Sequence, residues 1–226
     1  MAPSLLEVTD LACRRGGRKV FERLSFGMAA GELLALVGRN GSGKTTLLRA
    51  LALLVRPEAG AIQWQGADVR AEPEAWRSRL AWLGHLEGLK GDLSVAENLR
   101  VAEQLRGEGV LDIGRLDAAL AAVDLLALAD RPVRTLSAGQ RRRTALARVV
   151  LADVRLWLLD EPLNALDAPA QAAFRTALAK HLAGGGLAIA ATHADLGVAG
   201  ARTLELGSMQ SGSSPPSGGE EHEMKT

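Results

Sequence analysis

Two kinds of hydrophobic pattern recur along the chain, and both are typical of β-strands. Residues 6–11 and 21–26 alternate apolar and polar side chains, as expected of strands with one buried face. Three later runs, at residues 33–37, 154–159 and 187–191, are almost continuously apolar, which favours strands that are covered on both faces. Helical stretches separate these runs, so the sequence predicts an α/β fold with a largely parallel sheet.

Between residues 86 and 151 the pattern changes to a helical period. Ser94 is followed three residues later by Glu97, which is the capping-box arrangement at the start of a helix. Apolar residues at helical spacing predict a second helix over residues 115–128. This part interrupts the alternation of strands and helices, so we expect an inserted α-helical subdomain over about residues 86–151.

Two more helices are predicted beside the apolar strands. One covers residues 45–55 and stops before Pro57, because the residue preceding a proline disfavours the helical conformation. The other begins at Asp167, a residue that caps helix N-termini, with Pro169 in its first turn. Three glycines at 184–186 are expected to end it.

Composition narrows the class of protein. Hydrophobic residues make up 47% of the 226, which excludes an intrinsically disordered chain. No apolar run reaches the roughly 20 residues needed to cross a bilayer, and residues 1–7 lack the pattern of an export signal. The formal net charge of +1 gives no electrostatic reason to expect nucleic acid as a partner. Any attachment to a membrane is therefore expected to come through a partner protein.

The composition changes abruptly after Leu206. Residues 207–226 are rich in Gly, Ser, Pro and charge and have no apolar period, so we expect them to form a disordered tail. The preceding residues, 1–206, are expected to form one folded domain. Cys13 is the single cysteine and cannot form an internal disulfide, which fits a reducing cytosol.

A glycine-rich segment follows the strand at residues 33–37. It matches the phosphate-binding pattern in which four positions separate a glycine from Gly-Lys-Thr. Lys44 can reach the β- and γ-phosphates of ATP, and the Thr45 hydroxyl can ligate Mg²⁺. The alternative is a glycine-rich turn that matches by chance. The predicted nucleotide-binding residues here are Gly38, Arg39, Asn40, Gly41, Ser42, Gly43, Lys44, Thr45 and Thr46.

Two acids follow the apolar strand at residues 154–159. Asp160 is placed to hold Mg²⁺ at the strand end, and Glu161 can orient or deprotonate an attacking water. Apolar strands often end in acidic turn residues, so the pair alone leaves a purely local role open.

A second possible anion site precedes the helix at residues 141–151. Ser137 offers a hydroxyl and Gly139 an unobstructed amide, with Gln140 beside them. The alternative is an ordinary capped helix. His193 follows the strand at residues 187–191, and a lone histidine in such a place is more often a surface residue without a ligand.

The order of these motifs resembles the ABC ATPase family over about residues 4–206. The phosphate loop is followed by Leu-Ser-Ala-Gly-Gln, Leu-Leu-Asp-Glu-Pro, Asn-Ala-Leu-Asp and Thr-His. The resemblance implies a P-loop NTPase fold with a RecA-like core, an N-terminal antiparallel β subdomain and an inserted α-helical subdomain. It also implies that two copies of the chain sandwich ATP and Mg²⁺ between them.

The resemblance assigns a role to each matching residue. Ser137 and Gly139 match the signature loop, which in this family closes over the γ-phosphate that the other subunit binds. Asp160 matches the metal-associated acid, Glu161 the catalytic carboxylate and His193 the histidine that contacts the γ-phosphate. Residues 164–167 match the loop that bridges the two sites of a dimer. The implied catalytic residues are Glu161, His193 and Lys44.

Two positions depart from the family pattern. His85 stands where the family usually has a Gln that senses the metal and the membrane partner. An imidazole can still bond water or ligate metal there, although a surface His without a role remains the alternative. The aromatic residue that stacks on adenine is absent, and the guanidinium of Arg14 or Arg15 could stack in its place.

Four features together resemble the CcmA family, the ATP-binding subunits of bacterial cytochrome c maturation systems. They are Leu-Gly-His in place of the usual Gln, the short helical subdomain, three arginines after Leu-Ser-Ala-Gly-Gln, and Leu-Trp-Leu-Leu-Asp-Glu-Pro. The resemblance implies a location on the cytoplasmic face of the inner membrane, attached through the permeases CcmB and CcmC. It implies that ATP hydrolysis releases the haem-loaded chaperone CcmE. The histidines show no pairing that suggests a haem site.

The sequence leaves three alternative functions open. The first is the ATP-binding subunit of another exporter, for drugs or lipids, which the neighbouring membrane protein would distinguish. The second is a soluble ABC protein, although the chain lacks the tandem ATPase domains or coiled-coil insertions usual there. The third is a small-molecule kinase, which would leave the signature and bridging loops without a purpose.

Overall fold

The computed structural model describes residues 4–107 and 111–207 and contains two β-sheets. The first sheet is antiparallel, in the order β2-β1-β4-β5. Its strands are β1 (Leu6–Arg15), β2 (Arg18–Met28), β4 (Ala59–Trp64) and β5 (Ala67–Asp68). The predicted alternation is confirmed in β1, where Leu6, Val8, Leu11 and Cys13 are buried and most of the residues between them are exposed.

The second sheet is parallel, in the order β6-β7-β8-β3-β9. Its strands are β3 (Leu33–Val37), β6 (Leu80–Leu83), β7 (Leu156–Asp160), β8 (Leu187–Ala191) and β9 (Arg202–Glu205). Every residue of β7 and β8 is buried, as the continuous apolar runs predicted. The short, polar edge strand β9 was not predicted.

Each face of the parallel sheet belongs to a different hydrophobic core. Leu156 and Leu158 pack with residues of the antiparallel sheet and of the helix after the glycine-rich segment, among them Leu47 and Leu48. Trp157 and Leu159, which point the opposite way, pack with the helical part of the chain. Because both faces are packed, the carboxyl ends of the strands are fixed relative to one another.

Six α-helices accompany the sheets within residues 4–107 and 111–207. They are α1 (Lys44–Leu51), α2 (Pro73–Ser78), α3 (Val95–Leu105), α4 (Ile113–Ala121), α5 (Ala138–Leu151) and α6 (Ala168–Ala183). The predicted caps are confirmed: Ser94 and Glu97 form a capping box, and the Asp167 side chain accepts a hydrogen bond from the Ala170 amide. Among the described residues, no helix is both long and apolar enough to cross a membrane.

Two predicted helices were too long. The helix predicted over 45–55 ends at Leu51, because Leu53 adopts a left-handed conformation with φ 54°. The helix predicted over 115–128 runs only from Ile113 to Ala121, and Asp124 has φ 55°. An L-residue in this region does not continue a right-handed helix, although the apolar period continues past it.

The domain boundaries remain a proposal. Helices α3, α4 and α5 lie within the proposed helical subdomain, about 86–151, and the proposed domain spans 1–206. The tail proposed over 207–226 lies outside the described residues except for Gly207.

Candidate active site

The predicted phosphate loop joins the carboxyl end of β3 to the start of α1. Gly43 caps α1 with φ 105°, and a Cβ there would lie 2.5 Å from Val20 Cγ1 of β2. Gly38 has φ 136°, and a Cβ would collide with the Leu206 carbonyl oxygen. Each position therefore requires glycine, because the backbone is left-handed there and no room is left for a Cβ atom. The loop consequently presents its backbone, rather than side chains, at the N-terminus of a helix, where anions are favoured.

Lys44 lies in this loop with its ammonium facing inward. The side chain is largely buried, and its Nζ donates to the carbonyl oxygens of Gly38 at 2.6 Å and Arg39 at 3.3 Å. Ser42 Oγ is also buried and has no hydrogen-bond partner among the described residues. A cation and an unsatisfied hydroxyl beside a left-handed glycine turn are the groups that a bound phosphate would satisfy.

The two predicted magnesium ligands lie next to each other. The Thr45 hydroxyl donates to Asp160 Oδ2 at 2.9 Å, which joins the first turn of α1 to the end of β7. Asp160 is only 5% exposed. No cluster of three or more His, Cys, Asp or Glu suited to a metal occurs in the described part of the chain. Two oxygen ligands fit Mg²⁺, which keeps waters and substrate phosphates as its remaining ligands.

Glu161 and His193 lie at the same edge of the sheet. Glu161 follows β7 with φ 48°, and its amide donates to the Ala191 carbonyl at the end of β8, at 2.8 Å. His193 Nε2 lies 3.5 Å from Lys44 Nζ and 4.0 Å from Glu161 Oε1. The structure therefore brings together the three residues predicted to be catalytic, although they are distant in sequence.

The predicted signature loop forms the N-terminus of α5. Ser137 Oγ accepts from the Gln140 amide at 3.2 Å, and Gln140 Oε1 accepts from the Ser137 amide at 2.9 Å. The capped-helix alternative is thus realised, and the capping box satisfies the amides of Ser137 and Gln140. Gly139 packs against the bridging loop, since a Cβ on it would lie 2.8 Å from the Ala165 carbonyl oxygen. Within residues 4–107 and 111–207, no hydrogen bond or ion pair joins residues 136–140 to residues 38–45.

The remaining predicted residues lie near this edge or on the antiparallel sheet. His85 is exposed and follows β6, whose Leu83 pairs with Leu159 of β7. Of the two residues considered for adenine, Arg14 is engaged by Glu58 at 2.8 Å. Arg15 has no ion pair within the part of the chain that the structure describes. Three predicted residues have exposed or half-buried positions in the phosphate loop or α1: Arg39, Asn40 and Thr46.

Sequence reasoning missed Arg142. Its guanidinium is buried, and Nη2 donates to the carbonyl oxygens of Asp160 and Glu161, each at 2.6 Å. Nη1 donates to the Gly84 carbonyl oxygen at 2.9 Å. Burial lowers the pKa of Arg142, and the negative charges of Glu87, Asp160 and Glu161 oppose that shift. The only sequence signal was its place within three consecutive arginines, which does not distinguish an inward from an outward side chain.

Comparison with known proteins shows the family of the chain. The family model for ABC transporters matches residues 21–164. The chain is 46% identical to the "Cytochrome c biogenesis ATP-binding export protein CcmA" of Paramagnetospirillum magneticum, over 91% of this chain and 95% of that protein. It is 49% identical to the protein of the same name from Rhodopseudomonas palustris, over 87% of this chain and 95% of that one. A solved "ATP binding subunit of ABC transporter" aligns with a TM-score of 0.75 at 27% identity, covering 84% of this chain and 80% of that structure.

Proposed function

The chain belongs to the ABC transporter family of ATPases and, within it, to the cytochrome c biogenesis ATP-binding export proteins, and we propose that it hydrolyses Mg²⁺-bound ATP between two copies of itself. One observation carries the proposal. Lys44, Glu161 and His193 converge at the carboxyl edge of the parallel sheet, beside the hydrogen-bonded pair Thr45 and Asp160. Phosphoryl transfer to water needs this combination of positive charge, metal ligands and an oriented carboxylate.

Each residue has a distinct task in this site. The backbone of residues 38–43 and the Lys44 ammonium bind the β- and γ-phosphates, with Lys44 exchanging the Gly38 and Arg39 carbonyls for phosphate oxygens. Thr45 and Asp160 would hold Mg²⁺, which neutralises charge on those phosphates. Glu161 orients the attacking water as a general base. His193, 3.5 Å from Lys44 Nζ, contributes a hydrogen bond to the γ-phosphate.

A second copy completes the site. The signature loop of one chain presents the Ser137 hydroxyl and the N-terminus of α5, but it is not joined to that chain's own phosphate loop. The capping box leaves the amides of Ala138 and Gly139 unused, and amides in the first turn of a helix are suited to an anion. The γ-phosphate held by the partner's phosphate loop is the anion that we assign to it.

Substitution of Ser137 tests this sandwich. Ser137→Asp keeps a residue that caps helices well but adds a negative charge where the γ-phosphate of the other chain is proposed to bind. Repulsion between this carboxylate and the γ-phosphate is expected to lower ATP turnover by roughly 10-fold or more and to prevent ATP-dependent dimerisation. ATP affinity of the isolated chain should stay within about twofold, because its own phosphate loop is unchanged.

Ser137→Asn is the matched control, because asparagine caps equally well without a charge. It loses the Ser137 hydroxyl but adds no charge, so it should still dimerise with ATP, more weakly than the original chain and far better than Ser137→Asp. Normal turnover in Ser137→Asp would rule out this role of the signature loop.

The names of the similar proteins support a role in cytochrome c biogenesis. In this role the subunit lies on the cytoplasmic face of the inner membrane, attached through the permeases CcmB and CcmC. Hydrolysis would then drive release of the haem-loaded chaperone CcmE. We place the contact with such a membrane partner at His85 and Leu86, where the leucine side chain is 85% exposed.

Recovery of partners from membranes tests this narrower role. A tagged chain, purified from detergent-solubilised membranes, is expected to bring CcmB-like and CcmC-like proteins with it, as identified by mass spectrometry. Replacing Leu86 with Glu should reduce that recovery while leaving ATP binding intact, whereas Leu54→Glu, at an exposed leucine after α1, should not. Recovery of an unrelated permease would contradict the cytochrome role and support a different exporter.

A further inference from the structure

Arg142 is a buried cation whose partners are all backbone carbonyls. It is 5% exposed and donates to Gly84, Asp160 and Glu161, and it forms no ion pair within the described residues. A buried charge is costly unless it is well hydrogen-bonded. The guanidinium therefore needs these three carbonyls in place, and a movement of either the guanidinium or the carbonyls is expected to displace the other. The three acceptors lie at the carboxyl ends of two neighbouring strands, β6 and β7.

The backbone of Glu161 needs such support. Its φ of 48° is a conformation that non-glycine residues adopt only when the surroundings hold them there. The Glu161 amide is held by Ala191 at 2.8 Å, and its carbonyl oxygen is held by Arg142 at 2.6 Å. Since the backbone sets the direction of the side chain, Arg142 helps to determine where the Glu161 carboxylate lies.

Arg142 also belongs to the helix that begins with the signature loop. It lies in the second turn of α5, five residues after Ser137. Further along α5, Arg148 Nη1 donates to the carbonyls of Glu87 at 2.8 Å and Gly88 at 3.1 Å. The segment that carries His85 and Leu86 is therefore held to the same helix at both ends.

We propose that Arg142 is a positioning residue for hydrolysis, which couples α5 and the segment 84–88 to the Glu161 carboxylate. The proposal rests on the ATPase function proposed above. A displacement of the signature helix, or of residues 84–88 by a bound partner, is transmitted through the guanidinium to the backbone of Asp160 and Glu161. An arginine suits this task because its planar fork donates to two strands at once, whereas lysine has a single, compact charged group.

Kinetics of Arg142→Gln and Arg142→Lys test the proposal. Misplacement of a catalytic group by a fraction of an ångström to 1 Å lowers kcat by about 10- to 100-fold. We expect a loss of that size in Arg142→Gln and a smaller loss in Arg142→Lys, with the Kd for ATP within about twofold of the original chain. A residue that only stabilised the fold would not produce this separation of kcat from Kd.

Arg143→Gln is the matched control. Arg143 is adjacent on α5, but it donates to Asp124 at 2.9 and 3.0 Å, away from the strand ends. It should keep kcat and Kd within about twofold. Arg142→Lys keeps the charge and serves if Arg142→Gln does not fold, as judged by thermal unfolding.

The outcomes distinguish this proposal from the ATPase function itself. Unchanged kcat in a folded Arg142 variant, or kcat and ATP affinity falling together, would overturn the positioning role. If Glu161→Gln abolishes turnover while both Arg142 variants keep it, only the positioning role fails. If Glu161→Gln itself keeps full turnover, the proposed hydrolysis site fails.

Discussion

Glu161→Gln is expected to lower ATP turnover by about 100-fold or more and to leave ATP binding intact. A general base contributes roughly 10²- to 10⁴-fold to such a reaction, and an amide cannot accept the proton of the attacking water. Gln has nearly the shape of Glu, so the left-handed backbone at φ 48° should persist. The hydrogen bonds of the backbone N–H and backbone carbonyl of residue 161 should persist as well. Phosphate release from ATP, measured beside the Kd of a fluorescent ATP analogue, separates the two effects.

Glu74→Gln provides the control for this substitution. Glu74 is exposed in α2, remote in sequence from the phosphate loop and from β7, and should keep normal turnover. Hydrolysis by Glu161→Gln at the rate of the original chain would show that another residue orients the water.

Lys44→Ala is expected to weaken ATP binding itself. A hydrogen bond to a charged group contributes about 1.5–3 kcal/mol, so loss of one such bond corresponds to about 10- to 100-fold in Kd. The Lys44 ammonium is buried against Gly38 and Arg39, lies 3.5 Å from His193 Nε2, and is already desolvated for its contact with phosphate. Turnover and ATP affinity should therefore fall together in Lys44→Ala, whereas in Glu161→Gln only turnover should fall.

The matched control is Lys90→Ala. Lys90 is exposed, and its backbone, not its side chain, bonds Asn98. It should bind ATP as the original chain does. Tight ATP binding by Lys44→Ala would contradict the assignment of the phosphate loop.

Much of the parallel sheet and the ordered motifs could be predicted from the sequence. The runs at β3, β7 and β8 are apolar on both faces, and few other structures explain such runs between glycine-rich turns. The strand β9 could not be predicted, because an exposed edge strand such as Arg202–Glu205 carries no apolar pattern. The end of α4 was missed because apolar residues continue after Ala121 in a different backbone conformation.

The buried position of Arg142 could not be predicted from the sequence either. Arginine is seldom fully buried, and three consecutive arginines are typical of a solvated surface. The register of α5, set by the Ser137–Gln140 capping box, turns Arg142 inward and leaves Arg141 and Arg143 less buried. Only the packed structure shows that the inward position meets three carbonyls. Local patterns reveal the phosphate loop, whereas this contact depends on tertiary structure.

The most direct test of the shared site is the mass of Glu161→Gln in solution, measured by light scattering with and without ATP. We expect the mass of one chain without nucleotide and of two chains with ATP, because hydrolysis no longer separates the dimer. Adding Ser137→Asp to Glu161→Gln should return it to one chain, and adding Ser137→Asn should not. A mass of one chain for Glu161→Gln with ATP bound would contradict a site built from two copies.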